Sequence, residues 1–150
     1  MRECDILVAA NDVYADDFSK GDLPMPPGRQ LAIVTCMDAR LDPARFLGLE
    51  EGDAHVIRNA GGLVTEDAIR SLCISHWLLG TREVAVLAHT DCGMLTFSND
   101  DLCSKLETEA GADASDIDFR PFSDLQESVR RSLATIRESP FLPDDYESSG

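Results

Sequence analysis

Lysine is almost missing from this chain: Lys20 and Lys105 are the only two among 150 residues. All bases together number 13 against 28 acids, a formal charge of −15. Such a surface repels polyanions, so nucleic acid and anionic membranes make poor partners. It suits a high-salt cytoplasm, and equally a soluble protein of tilted composition. A neutral small substrate would be indifferent to this field, whereas an anion would need positive charge gathered at the site. Long apolar runs are missing too, and Met1-Arg-Glu-Cys-Asp5 carries no apolar leader, so the expected location is cytoplasmic. The cysteines are five, an odd and scattered set rather than a disulfide framework. There is no nucleophile elbow, no Gly-rich phosphate loop, no internal repeat and no low-complexity tract.

What remains reads as one globular domain over residues 1–150, with 43% hydrophobic and 27% charged residues. From Arg2 to Phe18, the positions Cys4, Leu7, Val8, Asn11, Tyr14 and Phe18 fall three and four apart, one face of an amphipathic helix. Gly21 to Gly28 with its prolines is an arm, so residues 1–29 form a helix and arm ahead of the first strand. Strands are expected at Leu31–Thr35, Ala54–Arg58 and Glu83–Ala88, from short β-branched runs. Asp42-Pro43 starts a short helix that Gly48 ends. Thr65 opens a helix with Glu66 and Asp67 in its first turn and with Ile69, Leu72, Cys73, His76 and Trp77 on its buried face. Helices follow at Asn99–Ala110 and Phe122–Glu138, the last capped by Ser123, showing Leu125, Val129, Leu133 and Ile136 on one face, and stopped by Ser139-Pro140. Residues 139–150 read as a frayed polar tail. The strand–helix alternation predicts a three-layer α/β/α fold with a mainly parallel sheet of about four strands.

Two of the apolar runs end in metal-binding residue types. Leu31–Thr35 leads into Cys36-Met-Asp38-Ala-Arg40, and the run before His89 leads into His89-Thr-Asp-Cys92. If these strands are parallel neighbours, Cys36, His89 and Cys92 meet at the carboxyl edge of the sheet, where open α/β sheets build their sites. Two thiolates and an imidazole suit zinc, and three protein ligands leave a fourth position for water. A closed structural zinc site is the rival reading. It normally takes four ligands from two short clusters, and here the remaining candidate is Asp38. Asp38 and Arg40 share one side of an extended segment. As a surface pair they are worth little; beside a metal, Asp38 can orient a hydroxide while Arg40 keeps Asp38 from closing the site. Thiolates neutralise the ion's charge, so activity should rise toward alkaline pH.

The other polar residues have plainer readings. Asp91 reads as a solvated turn residue with a lesser claim to support the ligands. His55 and His76 read as packing or surface residues, and Cys4, Cys73 and Cys103 as packing residues. Gly61-Gly62 marks a turn needing positive φ.

Cys-x-Asp-x-Arg at 36–40, Arg58-Asn-Ala-Gly-Gly62, and His-x-x-Cys at 89–92, in that order, resemble the β-class carbonic anhydrases, in their compact prokaryotic and fungal branch. The resemblance is dense from Leu31 to Met94 and thinner outside. It implies zinc on Cys36, His89 and Cys92, catalytic roles for Asp38 and Arg40, and a substrate cleft lined by Gly61 and Gly62. The implied reaction is reversible hydration of carbon dioxide to bicarbonate by zinc hydroxide. Some relatives of the scaffold hydrolyse carbonyl sulfide or carbon disulfide to hydrogen sulfide, and pocket shape rather than ligand identity separates these substrates. A non-enzymatic zinc-stabilised binding module is the reading from another class. The family's amino-terminal helix embraces a partner, which implies a homodimer or higher homo-oligomer; packing on its own sheet is the alternative. Members commonly run on into a further edge strand, so a frayed tail would leave the sheet's outer edge, and assembly beyond a dimer, unspecified.

Overall fold

The computed structural model describes residues 1–150. Four strands, β1 (Leu31–Cys36), β2 (Ala54–Asn59), β3 (Glu83–Leu87) and β4 (Glu147–Ser149), pair in parallel in the order β2-β1-β3-β4. The helices are α1 (Glu3–Asp16), α2 (Pro43–Leu47), α3 (Glu66–Trp77), α4 (Asn99–Ala110) and α5 (Leu125–Glu138). This is the expected α/β fold, and its sheet is wholly parallel.

Five of the six residues of β1 are buried, as an unbroken apolar run in a central strand should be. Ala32 and Val34 of β1 and Val84 and Val86 of β3 share one face. They pack with Ala68 and Leu72 of α3 and Ile136 of α5 to form the main core. Ile33 and Thr35 point to the opposite face and are buried as well. The chain leaves β1 for β2 on one side and leaves β3 for β4 on the other. The carboxyl ends of β1 and β3 therefore flank the topological switch point, where a crevice opens.

Local signals hold these elements in place. Asp42 accepts from the Arg45 amide at 3.3 Å, Pro43 takes the first helical position, and Gly48 closes α2 at φ 64°. Thr65 accepts from the Ala68 amide at 3.2 Å and starts α3 as expected.

Other expectations need correction. Helix α5 starts at Leu125 with Asp124 as its cap, accepting from the Glu127 amide at 3.0 Å, and Ser123 stays outside. Its most buried face carries Ser128 and Ser132 beside Ile136, with Val129 and Leu133 only partly covered. The two hydroxyls are satisfied internally: Ser132 accepts from the Val64 amide at 3.1 Å, and Ser128 donates to the Leu125 carbonyl at 2.7 Å. Trp77 is not on a buried face but 63% exposed, held by its indole N–H donating to the Phe141 carbonyl at 2.8 Å. Helix α3 instead buries Ala68, Leu72 and Ser75.

The tail is not frayed. Leu142 and Tyr146 are buried in the main core, and the Glu-Ser-Ser of β4 pairs with β3. No apolar residue lies within β4, so its backbone ladder left no periodic signal. Helix α1 buries none of its residues, and Cys4 and Leu7 are exposed with the rest of the stripe. Its carboxyl end is tethered by the Tyr14 hydroxyl donating to the Glu51 carboxylate at 2.6 Å.

Candidate metal centre

Cys36 is the last residue of β1, and His89 and Cys92 lie in the turn after β3, so parallel pairing brings all three to the switch point. Their ligand atoms lie within 4.8 Å of one another, and the two sulfurs are 4.0 Å apart as free thiols. A tetrahedral zinc with bonds of about 2.3 Å to sulfur would set two sulfurs roughly 3.8 Å apart, close to the observed spacing.

The histidine supplies the sharper test. With the Nδ1 hydrogen donated to the Thr90 carbonyl at 2.9 Å, Nε2 keeps its lone pair. That Nε2 is a buried polar atom with no hydrogen-bond partner, an arrangement folded proteins avoid unless something else satisfies the group. Burial pushes the Cys92 thiol up from its ordinary pKa, and the Cys36 sulfur beside it adds to that. A cation between the sulfurs reverses both effects. The donor set therefore fits a zinc-like ion.

Asp38 stands next to this cluster, with Oδ2 3.8 Å from His89 Nε2, but it is engaged elsewhere. Arg40 grips both its oxygens, Nε to Oδ1 at 2.9 Å and Nη2 to Oδ2 at 2.7 Å, a bidentate pair. The hydrogen bonds from Arg40 hold the Asp38 carboxyl well below the usual carboxylate range. Arg40 also donates from Nη1 to Asp91 Oδ2 at 2.8 Å, so Asp91 is no free turn residue.

Two supports went unassigned in the sequence. Arg58, at the end of β2, donates to the carbonyls of Cys36 at 2.9 Å, Asp38 at 2.8 Å and Leu41 at 3.3 Å, pinning the whole ligand loop. Asn59 clamps the glycine turn, donating to the Leu63 carbonyl at 2.8 Å and accepting from the Leu63 amide at 2.9 Å. In the β1–β2 register Arg58 stands opposite Thr35 and Asn59 opposite Cys36, which sets both beside the ligand-bearing strand end.

Gly62, at φ 63°, presses on the strand end itself: an added Cβ would lie 2.8 Å from the Cys36 amide nitrogen. At Gly61 a Cβ would instead meet Phe122 at 3.0 Å and Met94 at 3.1 Å. Cys36, Cys92 and Met94 form a small buried cluster, with Leu41, Phe97 and Phe122 packed against it. His55 lies outside the cluster, its Nδ1 sharing a 2.7 Å hydrogen bond with the Ser75 hydroxyl and tying β2 to α3. A polar cavity of about 560 Å³ between Leu63 and α5 contains none of the ligand residues.

Comparison with known proteins agrees with this geometry. A family profile described as carbonic anhydrase matches residues 31–150. The chain is 53% identical over 148 residues to beta-carbonic anhydrase 1 of Mycobacterium tuberculosis, covering 95% of this chain and 86% of that protein. A carbon disulfide hydrolase of Acidianus sp. (strain A1-3) is 34% identical over 149 residues, covering 84% of this chain and 73% of that protein. Among solved structures, a carbonic anhydrase from Streptococcus mutans superposes with a TM-score of 0.95 at 49% identity, covering 99% of this chain and 89% of that one.

Proposed function

The chain belongs to the β-carbonic anhydrase family, and from that premise we propose that it reversibly hydrates carbon dioxide to bicarbonate at zinc held by Cys36, His89 and Cys92. The observation that carries this reading is the bidentate Asp38–Arg40 pair, which turns the nearest further ligand away from the three-residue cluster. Zinc, when bound, acidifies water and so makes a nucleophile available, at a more alkaline pH with two thiolate ligands than with imidazoles alone.

The chain's own residues do the rest. Asp38, kept ionised by Arg40, only accepts hydrogen bonds, so it orients a water's hydrogen toward itself and a lone pair away. Met94 and Phe122, which pack directly onto Gly61 because it carries no side chain, offer an uncharged linear molecule an apolar wall. Gly62 lets this wall approach the strand ends. Because its pKa is depressed, Asp38 stays ionised at neutral pH and loses its charge only in strong acid. An alkaline rise in activity is therefore not its titration. A chain of net charge −15 also favours release of an anionic product.

A non-enzymatic zinc-stabilised module would need a fourth protein ligand, and Asp38 is tied to Arg40 instead. Hydrolysis of carbon disulfide or carbonyl sulfide is the second reading, favoured by the 34% identity to a carbon disulfide hydrolase. The 53% identity to a β-carbonic anhydrase weighs more. Side-by-side assays of carbon dioxide hydration and of carbon disulfide and carbonyl sulfide hydrolysis on zinc-loaded protein decide between them. Hydration should dominate, and hydrogen sulfide release without hydration would refute the first reading.

The exposed stripe of α1 and the open β2 edge are covered, in this account, by a second copy of the chain, giving a homodimer. No helix is long and apolar enough to cross a membrane, and a cytoplasmic location suits the free cysteines.

A further inference from the structure

Arg40 is held from two sides. Nε and Nη2 grip Asp38, while Nη1 donates to Asp91 Oδ2 at 2.8 Å and Nη2 to the Asp91 carbonyl at 2.8 Å. Asp91 lies between His89 and Cys92, on the other ligand-bearing segment. The guanidinium therefore straps the Cys36–Arg40 segment to the His89–Cys92 turn. Asp91 has a left-handed backbone, φ 56°, which Gly, Asn and Asp tolerate best. Its carboxylate is otherwise in water, 86% exposed, so its engagement with Arg40 is not a consequence of burial.

We propose that Asp91 is a positioning residue. By holding Arg40 from behind, it keeps Asp38 withdrawn from the metal and so sets the fraction of molecules whose fourth position is open. This inference rests on the zinc reading of the Cys36–His89–Cys92 cluster. An arginine bound to Asp38 alone can follow that carboxylate toward the ion, the two moving as a unit. With Asp91 in place, the same movement breaks two hydrogen bonds. An exposed ion pair is individually weak, so the shift in open fraction is modest. The apparent affinity of any ligand for the fourth position falls in proportion to that fraction.

Cobalt(II) in place of zinc gives visible bands that report on the fourth position, and thiocyanate titration of that protein measures how open it is. Asp91→Gly removes the carboxylate while keeping the carbonyl and accepting the left-handed backbone; Asp91→Asn keeps an acceptor oxygen as well. Asp91→Gly should bind thiocyanate about two- to fivefold more weakly than wild type, with metal content unchanged. Asp91→Asn should fall between the two. In an Arg40→Ala background, Asp91→Gly should add nothing, because the strap is already cut. A turn that needs only its backbone shape would leave Gly and Asn both equal to wild type. That equality, or a further loss on top of Arg40→Ala, overturns the proposal. If glycine unfolds the turn, Asp91→Ser, whose hydroxyl is too short for the 2.8 Å contact, takes its place with the same two outcomes. Wild-type protein that takes up no cobalt would instead sink the zinc reading itself.

Discussion

The carboxyl edge of the sheet and helix α1 are both incomplete, but in different currencies. At the sheet edge the Asp38, Arg40, Arg58 and Asn59 side chains all have partners, and His89 Nε2 alone is buried without one. On α1 the shortfall is apolar: Leu7, Val8 and Tyr14 stand exposed along one face of a 14-residue helix with nothing buried. A missing hydrogen-bond partner is a point defect, costing about 1–3 kcal/mol, and a single directional ligand repairs it. An uncovered stripe is spread out, with roughly 1.5–3 kcal/mol available for each large side chain fully buried. Only a surface of similar extent supplies that. On the function proposed above, an ion completes the first region and a second chain the other.

The comparison breaks first, and hardest, at the ligands. Cys36→Ser or Cys92→Ser should lose most of the zinc by elemental analysis and reduce hydration by about a thousandfold or more, since unassisted water has a pKa of about 15.7. Full zinc retention in either variant would remove the site as drawn.

Next comes the gate. Arg40→Ala should keep its zinc yet lose about 10–100-fold in activity, because Asp38 is freed to close the site. Asp38→Ala should also retain zinc with reduced activity. The double variant should lose no more than Arg40→Ala alone. Losses that multiply, at constant zinc content, would show that the pair is not a gate.

For the other region, Leu7→Asp with Val8→Asp should weaken self-association by about 3 kcal/mol, roughly a hundredfold in Kd, while zinc stays bound. Sedimentation showing an active wild-type monomer at assay concentration would remove the account of α1. A last test, read in stability alone, separates two glycines of like conformation. Gly48 has φ 64° with nothing near a Cβ, so Gly48→Ala should cost about 1 kcal/mol in thermal unfolding. Gly62→Ala should cost about 2–4 kcal/mol, since its Cβ would strike the Cys36 amide as well. Equal costs would mean that the close approach behind Cys36 is unimportant.

The two regions also differ in what their sequence discloses. The ligand cluster was legible because each ligand follows a β-branched run, and parallel strands of similar length must bring their ends together. The stripe of α1 was legible as a pattern, but periodicity says that a face is apolar, not what covers it. Arg58 escaped assignment, and Asp91 read first as a solvated turn residue, because their partners are mostly backbone carbonyls and a guanidinium, fixed by register and by a left-handed turn rather than by spacing. Strand β4 escaped because Glu147-Ser-Ser149 pairs through its backbone, while the residues that anchor it, Leu142 and Tyr146, precede it. On α5 a serine face was hidden by a nearby leucine–valine one. The hydroxyls could be buried only because Val64 and Leu125 supply their partners.

The central claim is that Cys36, His89 and Cys92 together hold one zinc. X-ray absorption at the zinc edge, on wild-type protein at alkaline pH, tests it most directly. The account predicts two sulfurs at about 2.3 Å and two lighter atoms, one imidazole nitrogen and one oxygen, at about 2.0–2.1 Å. A shell with fewer than two sulfurs, or a protein that fails to retain one zinc per chain, would contradict it.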